Sequence, residues 1–467
     1  MQMGFKTRCY PGPKLAQVLA QWIGCQRVAS NAKHEELHYL LWLRKRAITS
    51  PSWTDPDPQG NFPLDQTFSQ YKDAELSPWL SDVPAQIVRN GVVLYKRGWT
   101  NRFKNPAHFG VPTKKRKWDR NSVWLTSELF RFVGKGWVEL GTVANPIGRL
   151  RFVQHQDLGF PKSITLTRKR FGHWFLSCSQ ELEGPELAKA EDRLVALSTL
   201  PLDTLETQVL GIDRGIVFNA ACSDGVTGQL SDAQKEEMRR LQSRRRRFQR
   251  AAARGVLGSR RRDKNLAKAA KCVAKIASIR NDFLRKIAFQ IAELPQTIVA
   301  LEDLNLKGMS RKAKPKKDEA GNYVKNNAAQ KTGLNKALAN AGLGNFSIYL
   351  KQALVKRGKL FIDVPAHYSS QECSVCGYID KDNRPNQETF ICLHCGHEEN
   401  ADLNASKVIK KRGIALIKSC TAGMVGSARL SPKSRPTGRG TLRRNSRFAV
   451  SNRENSSSLV TEETPPS

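Results

Sequence analysis

No stretch of this chain approaches the ~20 consecutive apolar residues that a membrane-spanning helix needs, and its basic helical stretches lack a broad greasy face. A membrane partner is therefore not expected. The opening "MQMGFKTRCYPGPK" has no apolar run behind its charges, so no secretory leader is expected and the chain reads as cytoplasmic. Acid is scarce as well. Asp and Glu number 42 against 77 Lys and Arg, which leaves a formal charge of +35 and a sequence pI near 10.1. Self-repulsion makes such an excess costly unless a polyanion accompanies it, so nucleic acid is the expected partner. No internal repeat is visible. Apolar residues make up 39%, below the globular norm yet enough for true cores, and 467 residues imply roughly two to four domains.

Ten cysteines in a reducing compartment point to metal before disulfide. Four of them form Cys373-x2-Cys376-x15-Cys392-x2-Cys395, two knuckles each followed by a glycine, Gly377 and Gly396. This is zinc-ribbon spacing, and four thiolates close a structural tetrahedral site. His394 and His397 lie nearby, but the cysteine set is already complete. Cys9, Cys25, Cys178, Cys222, Cys272 and Cys420 read as buried or idle thiols.

A strand ended by Pro11 opens the chain, and helices are expected near 14–44 and 82–104. Residues 46–75, rich in Pro, Asp and Gln, look like a loop or insertion. On the second helix Tyr95, Trp99 and Phe103 recur at four-residue spacing and read as core. From 121 to 182 short alternating segments suggest strands of a small barrel, with "SITLTRKRFGHWFLSCSQEL" a hairpin. A linker is expected near 183–206. Residues 231–290 read as a long basic helical segment with 19 Lys/Arg against five Asp/Glu. A Lys/Asn/Gly-rich loop follows at 307–332, with residues 310–327 a lid or a plain insertion. Beyond about 424 the Ser/Arg/Pro/Gly tail reads as disordered.

Three acids interrupt otherwise apolar elements. Asp213 follows "VLGI", Glu302 follows "IVAL", and Asp402 lies in the segment "ADLNASKVI", which starts six residues beyond Cys395. An unpartnered buried carboxylate costs several kcal/mol, so each is expected to have a cation, a hydrogen-bond shell or a metal. Singly, each could equally be a surface or capping acid, and Asp303 and Asp363 compete for the same roles. Together, three such acids could hold two Mg²⁺ ions, whose hard oxygen shell leaves room for water and phosphate.

"GIDRGI", "LEDLNLKGM", "CSVCG…CLHCG" and "ADLNAS" stand in the order seen in the TnpB family of insertion-sequence proteins, relatives of the compact type V CRISPR effectors. The resemblance covers about 205–415, and more loosely "FKTRCYP" and "GCQRVASN". It implies an α/β RNase H-like (RuvC) nuclease domain with an inserted zinc ribbon, plus an N-terminal helical and β-barrel recognition lobe. The implied boundaries are 1–120 for the helical region, 121–200 for the barrel, and 201–372 for the nuclease domain with its basic insertion. The ribbon then spans 373–398, the last helix 399–423 and the tail 424–467. The resemblance further implies that Asp213, Glu302 and Asp402 are the metal-binding catalytic acids of an RNA-guided DNA endonuclease encoded by a mobile element. Its cofactors would be structural zinc, catalytic Mg²⁺ and a guide RNA, its partner target DNA, and its location the nucleoid of a prokaryote when bound. In the basic insertion Arg244, Arg245, Arg246, Arg247, Arg260, Arg261 and Arg262 are the candidate phosphate contacts. A CRISPR effector, a non-cleaving regulator and a strand-joining transposase remain alternatives, and monomer or homodimer stays open.

Overall fold

The computed structural model describes residues 2–46, 67–73, 75–116, 121–155, 158–181 and 190–419. Most of the expected 46–75 insertion and all of the tail beyond 424 lie outside the described residues. β1 (Gln2–Tyr10) leads into α1 (Pro13–Lys45), whose first residue is a proline, tolerated there because that N–H has no helical partner. α2 (Ala85–Lys104) packs along α1. β2 (Asn121–Thr126), β3 (Phe130–Phe132), β4 (Trp137–Gly141), β5 (Pro146–Phe152), β6 (Ser163–Arg168) and β7 (Trp174–Glu181) join β1 in an antiparallel sheet ordered β2-β6-β7-β1-β5-β4-β3. Its inward residues, such as Leu125, Leu140, Leu150, Leu166 and Leu176, bury against Trp22, Ile87 and Val88 of the two helices. The expected hairpin is β6–β7, with Ile164 opposite Cys178. The two edge strands, β2 and β3, are separated in the chain only by Ser127–Leu129, so the sheet must curl until its edges approach each other there.

The second half is built on a five-stranded sheet. α3 (Ala190–Ser198) and α4 (Leu202–Gln208) precede β8 (Val209–Asp213), β9 (Ala220–Cys222) and β10 (Thr227–Gly228). α5 (Asp232–Ala253) and α6 (Arg260–Glu293) lead to β11 (Ile298–Asp303), α7 (Leu306–Met309), β12 (Lys316–Lys317) and β13 (Tyr323–Val324). α8 (Ala328–Ala341), α9 (Leu343–Val355), β14 (Leu360–Pro365), β15 (Thr389–Ile391), β16 (Glu398–Asn400) and α10 (Ala401–Lys418) complete the order. The sheet runs β10-β9-β8-β11-β14, with β8, β11 and β14 parallel and β9 antiparallel to β8. Side chains at the starts of helices set their boundaries: Ser231 and Gln234 form a reciprocal cap on α5, Ser259 caps α6, and Asn400 caps α10.

Three expectations change. The linker at 183–206 is helical from residue 190, because Leu194 and Leu205 bury with Ile409, Ile414 and Ile417 of α10. The basic segment at 231–290 is two helices packed together, broken where Gly258 takes φ 82°. The 307–332 loop contains the β12–β13 hairpin, and its last residues already belong to α8.

The two faces of the sheet follow from the strand period of two. Leu210, Ile212, Val299 and Leu301 pack with α6 and α9, whereas Val209, Ile298, Ala300 and Val364 pack with α10. α10 lies directly on β8 at Gly211, where a Cβ would stand 2.1 Å from the Ser406 carbonyl oxygen. Gly211→Ala is expected to lift α10 off the sheet and cost about 3 kcal/mol or more. Urea unfolding checks this, and an unchanged midpoint would refute it.

Candidate active site and cysteine cluster

β8 is buried from Val209 to Ile212 and ends at Asp213; β11 is buried from Ile298 to Glu302. The strands pair in parallel with Leu301 opposite Ile212, so the next step brings Glu302 level with Asp213. Both acids share parity with the residues that face α10, the helix whose first turn carries Asp402. Asp402 is not the helix cap: that is Asn400, whose side chain accepts from the Asp402 and Leu403 amides. The three acids therefore meet at one end of the sheet. Asp213 and Glu302 are hydrogen-bonded to each other, and Asp402 is near enough to act on Asp213 by its charge. Asp402 Oδ2 also lies 3.7 Å from where a Cβ on Gly215 would stand.

The competing acids go elsewhere by the same parity. Asp363 aligns with Leu301, points to the α9 face and pairs with Lys351 at 3.1 Å. Asp303 is exposed at the end of β11.

Each carboxylate of the trio has a built setting. Ser369 Oγ donates to Glu302 Oε1 at 2.6 Å, from a turn in which Tyr368 takes φ 59°. Arg384 Nη2 donates to Asp402 Oδ1 at 3.1 Å and to the Gln387 carbonyl at 2.6 Å. Arg214 is buried beside the trio, but its guanidinium donates to the carbonyls of Glu302 and Leu343. Burial, then the charges of Glu302 and Asp402, hold the Asp213 carboxyl well above its usual range. Burial also raises Glu302, opposed by Ser369 and Arg214. Three acids crowded together, with the Arg214 guanidinium bonded to carbonyls and Arg384 reaching only Asp402, form a donor set short of positive charge. Hard oxygen donors in that condition fit Mg²⁺.

The cysteines converge more tightly. Cys373 Sγ is 3.6 Å from Cys395 Sγ and Cys376 Sγ is 3.6 Å from Cys392 Sγ. All four sulfurs lie within 4.8 Å of one another, the only such group of three or more metal-ligating side chains among the described residues. Tetrahedral zinc–thiolate bonds place sulfurs about 3.8 Å apart, so the cluster could hold zinc. Gly377 and Gly396 take φ 78° and 69°, the left-handed turn each knuckle needs. His394 stacks on Tyr378 and His397 pairs with Glu399 at 3.4 Å, outside the thiol set. Of the thiols read as idle, Cys9, Cys25, Cys178, Cys222 and Cys272 are buried; Cys420 lies outside the described residues.

The arginines divide. Arg245 and Arg246 line a groove of about 480 Å³ with Arg280 and Lys336, while Arg244, Arg247, Arg260 and Arg261 are exposed. Arg262 instead donates to the Ala252 and Gly255 carbonyls and fastens the α5–α6 turn. Sequence reasoning missed a cleft of about 1240 Å³ between α1, α2 and the seven-stranded sheet, lined by Lys6, Arg27, Arg97, Lys115, Arg168 and Lys169. Burial lowers Lys6 and Lys115, and Lys169 adds to the effect on Lys6. Tyr95 is core as expected, but Phe103 is 46% exposed.

Two family models match the chain. Residues 194–313 match OrfB_IS605, described as "Probable transposase", and residues 344–409 match "Cas12f1-like, TNB domain". The first span carries Asp213 and Glu302, the second Asp402 and the four cysteines. The chain is TnpB-like. It is 27% identical to the Escherichia coli (strain K12) "Putative RNA-guided DNA endonuclease InsQ", across 74% of this chain and 79% of that relative. It is 25% identical to a "Putative RNA-guided DNA endonuclease" of Streptomyces pristinaespiralis, across 95% and 96%. A solved Cas12f1–sgRNA–target DNA complex aligns over 85% of this chain and 83% of that one, at 15% identity and a TM-score of 0.49. Among the described residues no helix is long and apolar enough to cross a membrane.

Proposed function

We propose that the chain is an RNA-guided, Mg²⁺-dependent DNA endonuclease of a mobile element, with a RuvC-type site at Asp213, Glu302 and Asp402. The observation that carries this is the convergence of acids from β8, β11 and α10, three elements far apart in the chain, at one sheet end. Strand, later strand and last helix are also the placements that the TnpB resemblance implies. The names of the curated relatives support the reaction class. Bound magnesium would supply an activated water and stabilise the leaving oxygen of a phosphodiester. Asp213, Glu302 and Asp402 would hold it, Ser369 would fix the Glu302 carboxylate, and Arg384 would orient Asp402. The curled sheet with α1 and α2 fits the barrel-bearing recognition lobe, and its basic cleft suits guide RNA or target DNA. Zinc at the four cysteines fits their sulfur spacing.

The test is to purify the chain, sequence any RNA that accompanies it, and program that RNA against a randomised flanking DNA library with Mg²⁺. Cleavage lost in Asp213→Ala, Glu302→Ala and Asp402→Ala supports the proposal; absence of bound RNA opposes it. A compact CRISPR effector is the second reading, favoured by the Cas12f1-like match, and a repeat array beside the gene would mark it. Arg384→Ala is expected to slow cleavage about 10²–10³-fold while RNA and DNA affinity stay within about threefold. Single-turnover rates measured beside binding isotherms check this; parallel losses in both would refute it.

A further inference from the structure

The face of the seven-stranded sheet that carries Lys6, Arg8 and Tyr10, opposite the buried Thr7 and Cys9, is neither plain nor acidic. At one end Trp137, Arg151 and Tyr10 stand side by side across β4, β5 and β1, in register. Tyr10 is 52% exposed and Trp137 42%, although either ring would cost less if buried. With Lys135 they line a hollow of about 750 Å³. The pattern continues along β1: the Arg8 guanidinium lies over Tyr10 at 5.3 Å and over Phe175 at 5.6 Å, and the Lys6 ammonium lies over Phe175 at 5.3 Å. The neighbouring acid, Glu139, is already held by Arg131 at 2.5 Å and Arg149 at 3.3 Å. Rings and cations thus alternate over a face whose carboxylate is neutralised.

We propose that this face, centred on Tyr10, Arg151 and Trp137, is a second nucleic-acid site that binds an unpaired strand, with bases stacked on the two rings and phosphates on Arg151 and Lys135. Flat aromatic rings accept any unstacked base, and flanking cations follow the backbone. A protein partner fits less well, because the patch offers no buried apolar pocket and its charge is of one sign. Duplex fits less well too, since its bases are already stacked. The proposal does not depend on the carboxylate site.

The test uses the full chain carrying Asp213→Ala, so that no strand is cut. Twelve-residue oligo(U) and oligo(dT) labelled with 4-thio-pyrimidines are bound at about 0.3 M salt, which suppresses purely ionic binding. Cross-links are expected on peptides containing Tyr10 or Trp137. Trp137→Ala and Tyr10→Ala are each expected to weaken binding about tenfold, with Trp137→Phe within about threefold of the parent. Loss with oligo(U) alone assigns the site to RNA; loss with both assigns it to any single strand. Either result supports the proposal when melting is unchanged. Cross-links confined to other regions, alanine variants of native affinity, or equal weakening with a blunt duplex would overturn it. If an alanine variant melts early, Arg151→Glu is read in its place, with the same tenfold loss expected and native affinity overturning the proposal.

Discussion

Asp213→Asn is expected to abolish cleavage and, in the same protein, to raise the melting temperature measured in EDTA at pH 8. Cleavage would be lost with a carboxylate oxygen of the proposed metal site, and the stability gain follows because burial and the charges of Glu302 and Asp402 hold the Asp213 carboxyl well above its usual range. A group whose folded pKa is raised binds its proton more tightly folded than unfolded. Its stabilising contribution is complete below the unfolded value, about 3.9, and is lost as pH climbs from there through the raised folded value. Glu302, raised by burial, adds to the slope in the same direction. Within that window each pH unit costs about 1.4 kcal/mol per such group. Asparagine keeps the shape and removes the charge, so its metal-free stability should vary less between pH 5 and pH 8. Mg²⁺ should raise the melting temperature of the parent and leave the variant nearly unmoved. Scanning fluorimetry at the two pH values, with and without Mg²⁺, provides the check. A variant that melts no higher than the parent at pH 8 in EDTA would remove the electrostatic account of the trio.

Cys395→Ser or Cys376→Ser is expected to cost cleavage as completely, with the opposite effect on stability. Both sulfurs belong to the four-cysteine cluster and not to the acid trio, so the loss would travel through the backbone. β16 ends at Asn400 and α10 begins at Ala401, which leaves no slack between ribbon and helix. Ribbon residues hold that helix start as well. Arg384 grips Asp402, and Asn404 donates to the Glu372 carbonyl at 2.8 Å while accepting from the Ser374 amide at 2.9 Å. Four thiolates supply on the order of 10 kcal/mol to a small zinc module, far more than Cys373, Phe390, Cys392 and Ala401 can bury as a core. The variant should contain less than one zinc per chain by elemental analysis and show earlier local unfolding by hydrogen exchange at 373–405. Full cleavage with native melting would sink this view of the cysteines.

Much of the site was legible because its chemistry is local to short strings. "VLGID" and "IVALED" announce buried strands ending on acid, and paired knuckles announce a metal knot. The choice among Glu302, Asp303 and Asp363 was open to stricter counting. Ala300 and Glu302 share a face, whereas Asp303 and Asp363 fall on the opposite parity. Arg384 was missed because nothing in "DKDNRPNQ" hints that the ribbon folds back onto α10. The helices at 190–208 were missed because each is under ten residues long and buries its leucines in a cluster completed by α10, some 200 residues later. The break between α5 and α6 was written as "RGVLGS", which the abundance of arginine on either side obscured. Arg262 shows the limit of composition: its neighbours are free for a polyanion, but its own guanidinium is committed to the turn.

The order of the three acids along the chain has a consequence for a cell that makes this protein. Asp213 leaves the ribosome 189 residues before Asp402. At ordinary translation speed that interval lasts roughly 10–40 s. Once α6 has emerged as far as Glu293, 109 residues before Asp402, the nascent chain carries its arginine-rich helices and can cling to nucleic acid, yet it lacks the third carboxylate of the proposed site. On the proposed reading, self-assembly acts as a safety catch: nucleic acid can be touched during synthesis, but it is not cut until the final helix has docked.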